Sequence, residues 1–117
     1  MKKQVLILAI GLLSLASFAQ KNELKAIEKA IKKGQLNEAK AAVASLEVSE
    51  ASIQPKYKAK YYYLKGSVYG TSNVKKAAAA YNSLFEYEKQ TRKFKYTKLA
   101  EPKLNELIQF VSKKAID

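Results

Sequence analysis

The chain is predicted to be all-α, built of antiparallel helical hairpins, on three observations between residues 56 and 91. Tyr57, Tyr61, Leu64 and Val68 fall at i, i+4, i+7 and i+11, one stripe of a 3.6-residue period, and Tyr62, Gly66 and Tyr69 make a second stripe. A helix with two contact stripes has to be packed on more than one side. Gly70, Thr71, Ser72 and Asn73 then break the pattern, glycine suiting a left-handed C-terminal position and Asn73 the cap of the next helix. Val74, Ala77, Ala78, Tyr81, Leu84, Phe85 and Glu88 resume helical spacing, and the alanines at 77 to 80 let a neighbouring helix come close. So short a connection makes the two helices antiparallel neighbours.

From its start, the chain opens on a targeting pattern. Met1, Lys2 and Lys3 give a basic beginning, Val5 to Leu13 is an unbroken run of apolar residues and glycine, and Ser17, Phe18 and Ala19 set small residues before Gln20. Together they predict a Sec signal peptide over residues 1–19, cleaved after Ala19, and a periplasmic or secreted product. An uncleaved anchor is the alternative, but the apolar stretch falls short of the roughly 18 residues of a spanning helix, so no membrane span is expected after cleavage. With no cysteine near the cleavage point, a lipoprotein anchor is excluded. The short leader and its Phe-Ala-Gln ending resemble signal peptides of the Bacteroidetes. The whole chain has no cysteine, so nothing staples the exported domain and its stability must come from helix packing.

Residues 22–33 read as the first helix, with Leu24, Ala26, Ile27, Ala30 and Ile31 on one face, Asn22 as its N-cap and Gly34 as its stop. Leu36, Ala39, Val43 and Leu46 repeat at helical spacing and predict the buried face of a second helix. A polar loop from Val48 to Gln54 ends at Pro55, a favoured first residue of the third helix. Beyond Gln90 the register dissolves into a basic, aromatic-flecked connection. A fifth helix is expected from about Pro102, with Leu104, Leu107, Ile108, Val111 and Ala115 along it. That helix has no closing signal, and the single aspartate, Asp117, sits at its unfavourable negative end. The expectation is that it begins a further unit of a longer chain. The predicted organisation is thus a leader over 1–19, two hairpins over 20–91, and the basic connection with the fifth helix over 92–117.

Tyr62, Gly66 and Tyr69, followed by Ala77 and Tyr81, resemble the tetratricopeptide repeat, which places an aromatic, a Leu-Gly, a tyrosine and then an alanine ahead of an aromatic. Lys65 stands where that pattern has leucine, Leu64 lies one place early, and no proline follows the second helix. The turn Gly34 to Ala39 resembles the same repeat, and Leu36 aligns with Val74 as Ala39 does with Ala77, at an offset slightly longer than the family's roughly 34 residues. What the resemblance implies is a short right-handed solenoid whose first helices line a concave groove for a peptide or a partner's helix. By the family pattern the groove residues are Leu24, Glu28, Lys60, Tyr63 and Ser67. Tyr63 either faces the groove or packs against the next helix.

The missing chemistry excludes more than the present chemistry suggests. There is no histidine and no cysteine, which removes the usual general base, the thiol nucleophile and the commonest metal ligands. Carboxylates are scattered and no glycine-rich phosphate loop exists, so the reading is a non-enzyme without cofactor or metal. The net charge of +12 admits an anion-binding surface at Arg92, Lys93, Lys95 and Lys98, interleaved with Phe94 and Tyr96, for anionic polysaccharide or lipid head groups. Its plainer reading is solvated helix faces, since lysine is spread over every helix. A single arginine argues against sequence-specific nucleic-acid readout, which prefers arginine's bidentate fork. The preferred function is a scaffold for a protein or peptide partner, with the cationic envelope module and an N-terminal structural part of a longer protein as alternatives.

Overall fold

The computed structural model describes residues 19–116, with side chains through Lys113, and these residues form five α-helices and no strand. The expected signal peptide lies almost wholly outside the described residues. Helix α1 is already formed at residue 19 and runs to residue 32, so Asn22 lies inside it rather than capping it. Its end is closed as expected by Gly34, at φ +75°, with Gly34 N–H donating to Ile31 and Gln35 N–H to Ala30. Only glycine enters that left-handed conformation without steric cost, and the two bonds satisfy carbonyls the helix leaves open.

Helix α2 spans Leu36–Glu47 and buries Ala39, Val43 and Leu46. Leu36, expected in the core, is 47% exposed, because as the first helical residue it precedes the turn at which the face meets α3. The loop after α2 is held to α1 by Gln20: its amide donates to the Ser52 carbonyl at 3.0 Å and accepts from Gln54 N–H at 3.1 Å. Ile53, a residue of that loop, is buried, and the bonds to Gln20 satisfy the backbone groups on either side of it.

Helix α3, Pro55–Tyr69, begins on proline, which has no N–H to leave unsatisfied. Helix α4, Val74–Thr91, is capped by Asn73, whose side chain accepts from Lys76 N–H at 3.2 Å. Of the pairings among α2, α3, α4 and α5, theirs is the most extensive. Gly66 meets the ring of Tyr81 so closely that a Cβ at position 66 would overlap it. Tyr61, Leu64, Val68, Ala77, Tyr81 and Leu84 fill the space between α3, α4 and their neighbours. Each large side chain buried there contributes roughly 1.5–3 kcal/mol.

Helix α5 spans Thr97–Ile116 and starts five residues before the expected point, with Pro102 inside it. The missed signal is Glu88. Its carboxylate is 2% exposed and accepts the N–H groups of Tyr96 at 3.0 Å and Thr97 at 2.6 Å, where the first turn of α5 has open donors. The backbone carbonyl of the same residue accepts the N–H groups of Arg92 and Lys93, closing α4 on a left-handed Arg92. One residue therefore ends one helix and starts the next. Ala100 and Leu107 press α5 into the core, whereas Leu99, Ile108 and Val111 remain about half exposed.

Candidate binding site

Along the seam of α1, α3 and α5 runs a trough of about 230 Å³. Glu28, Ile31 and Lys32 enter it from α1, Tyr63, Leu64 and Ser67 from α3, and Lys103 from α5. No residue of α2 or α4 lines it. A second hollow of about 170 Å³ continues the seam and shares Ser67 and Lys103 with the first.

Spacing explains the set: Tyr63 and Ser67 lie one turn apart on α3, as do Glu28 and Lys32 on α1, so each pair shares a face. Ser67 Oγ donates to the Tyr63 carbonyl at 2.9 Å and lies 3.5 Å from the Tyr81 hydroxyl. Burial pushes the Tyr81 phenol above its ordinary range against the lowering effect of Ser67. Tyr63 is half-buried because one side of its ring packs on Tyr96, centroids 5.5 Å apart, while Lys103 Nζ sits 5.8 Å from its centre. Tyr63 thus lines the trough and also packs on Tyr96, in the turn just before α5. Glu28 is paired with Lys60 across 2.9 Å, whereas Lys32 and Lys103 have no carboxylate partner among the described residues, so the trough rim is cationic.

Four of the five expected groove residues come together here: Glu28, Tyr63 and Ser67 line the trough, and Lys60 flanks it through its ion pair with Glu28. Leu24 does not. At 2% exposed it is a core residue, since an apolar side chain on α1's inner face gains more from packing in the core than from solvent. Lys103 and Lys32 were missed, Lys103 because α5 was expected to start too late to bring its first turns beside α3.

Of the expected anion-binding residues, Lys93 and Lys95 border a separate and larger cleft of about 490 Å³ between the start of α3 and the α4–α5 connection. Arg92 and Lys98 are exposed and do not line it, because the left-handed turn at Arg92 and the first turn of α5 place them elsewhere. Lys56 and Tyr87, which the sequence did not mark, complete its wall.

A third polar cluster is structural. Glu47 accepts from the Tyr69 hydroxyl at 2.7 Å and lies 3.7 Å from both Lys65 and Lys76, while Lys65 reaches Glu50 at 3.3 Å. Lys65 thus neutralises two carboxylates, Glu47 at the end of α2 and Glu50 just beyond it. Burial and the bond to Glu47 push the Tyr69 phenol up to about 12, and burial with the nearby Glu50 raises Tyr61 further still. Among the described residues there is no cluster of metal-ligating side chains and no helix long and apolar enough to cross a membrane. In comparisons with known proteins, no family model, no curated protein and no solved structure matches this chain.

Proposed function

We propose that this protein is an exported, non-catalytic scaffold of tetratricopeptide-like hairpins, stacked as a short right-handed solenoid, that holds an acidic peptide segment of a protein partner in the trough. The observation that carries the reading is the lining of the trough by alternate helices, α1, α3 and α5. Alternate helices share one face when hairpins stack in register, and the close fit of Gly66 on Tyr81 supports the same arrangement. The chemistry of the occupant is set by the rim. Among the described residues Lys32 and Lys103 lack carboxylate partners and Glu28 is balanced by Lys60, so negative side chains are favoured, while the exposed part of Tyr63 offers a large contact at small entropic cost.

Selection of a random peptide library on the purified protein tests this. Acidic peptides should be enriched, and Lys103→Gln and Tyr63→Ala should each weaken the selected peptide by about tenfold or more. Tyr63→Ala also removes the stack on Tyr96, so the exposed Lys103 provides the cleaner readout. Undiminished binding by Lys103→Gln would refute the trough as the site. Export is tested separately by the mass of the native chain, which should begin at Gln20.

A further inference from the structure

Two groups of lysines in this molecule are placed differently. Lys60, Lys65 and Lys76 are paired with Glu28, Glu47 and Glu50. Lys56, Lys93 and Lys95 line the 490 Å³ cleft and meet no carboxylate within ion-pair distance among the described residues; Lys56 and Lys95 each lie over a tyrosine ring instead, Tyr57 at 5.1 Å and Tyr96 at 5.4 Å. That volume lies within the roughly 300–1,000 Å³ of small-ligand sites. Like charges gathered on one concavity repel, and an anion placed between them relieves the repulsion.

The walls say what kind of anion. Pro55, Ala59 and the tyrosines Tyr87 and Tyr96 line the cleft. Tyr87 is held in place by donating its hydroxyl to the Pro55 carbonyl at 2.6 Å. Each ring already has an aromatic neighbour, Tyr62 at 6.5 Å for Tyr87 and Tyr63 at 5.5 Å for Tyr96, so each presents limited surface to the cleft. That suits the CH-rich face of a sugar ring better than a run of stacked nucleobases, which needs open aromatic platforms along a groove. Lysine ammoniums, as mobile point charges, match a carboxylate without demanding a fixed fork.

Glu88 also borders the cleft and would oppose an anion if its charge were free. Its carboxylate is instead engaged by the amides of Tyr96 and Thr97 at the start of α5. The helix N-terminus and the buried carboxylate largely cancel, and the field in the cleft is set by the three lysines.

We propose that this cleft binds a uronate-type acidic sugar chain, the ring lying against the tyrosines and its carboxylate among Lys56, Lys93 and Lys95. The site is separate from the peptide trough, whose Tyr63 packs on Tyr96 of the cleft.

Calorimetric or NMR titration of the whole protein with a trigalacturonate probe tests the assignment. Exposed lysines are replaced, so the variants should fold. The double variant Lys93→Gln/Lys95→Gln should weaken binding at least tenfold and Lys56→Gln about threefold. Lys75→Gln, elsewhere on the surface, should leave it unchanged, and the neutral trisaccharide should not bind. The proposal is overturned if wild-type protein does not bind the probe at millimolar concentration, or if the Lys75 variant loses as much as the double variant. Equal binding of inorganic phosphate or of oligothymidylate, with the same dependence on Lys93 and Lys95, would overturn it as well, since the cleft would then be reading charge alone.

Discussion

The joint between α3 and α4 is made by shape, and the joint between α4 and α5 by charge. At the first, glycine removes a side chain so that the Tyr81 ring can lie against the α3 backbone, and alanines complete the close approach. At the second, a glutamate with almost no exposure reaches across from α4 and satisfies the opening amides of α5. A shape joint tolerates no added volume, whereas a charge joint tolerates no lost acceptor. The comparison shows how two helix pairs of one small domain can fail for unrelated reasons.

The largest expected loss is at the charge joint. Glu88→Ala leaves two amides at the start of α5 without an acceptor and should cost about 3 kcal/mol, read as a lowered melting temperature with faster amide exchange at Tyr96 and Thr97. Unchanged exchange would mean that Ala100 and Leu107 alone hold α5. Next comes the shape joint. Gly66→Ala should destabilise by about 2 kcal/mol despite alanine's better helix propensity, because Tyr81 is buried and its ring has little room to turn. In the double variant Gly66→Ala/Tyr81→Leu the two costs should be non-additive by about 1 kcal/mol; additive costs would deny the contact.

High pH probes the Glu47 cluster. The Tyr69 phenol is raised from 10.0 to about 12, so the folded state holds that proton more tightly than the unfolded chain. Its stabilising contribution is complete below pH 10 and is lost as the pH rises towards 12. Denaturant midpoints should fall over that window, and Tyr69→Phe should flatten the part due to this residue. A smaller loss, about 1 kcal/mol, is expected for Gln20→Ala, which releases the loop at Ser52 and Gln54 from α1. Smallest of all is Glu28→Gln. Its partner Lys60 is partly solvated, so stability should change by less than about 0.5 kcal/mol.

Much of the helical layout was legible because it rests on local signals. Pro55, Asn73 and Gly34 mark helix ends through their own backbone chemistry, and the stripes around Tyr61 and Tyr81 mark buried faces through period alone. Asn22 misled because a good capping residue also sits within helices when the residues before it continue the turn. Leu36 misled because a stripe's first member can precede the packed region. Within the trough, Tyr63 and Ser67 followed from helical spacing, but Lys103 depended on where α5 starts. That start is dictated by Glu88, nine residues from Thr97 in sequence, whose role no periodicity discloses.

By itself the sequence determined the helical class, most of the helix ends and the excess of positive charge, since propensity, capping and composition act through residues near one another in the chain. Only the tertiary structure decided which lysines are paired and which are left to face a cleft, that Leu24 is core, and that Glu88 begins α5. Those outcomes depend on distances of a few ångströms between different elements. A Coulomb interaction or a hydrogen bond is set by that separation and by burial, and neither is written in the order of the residues.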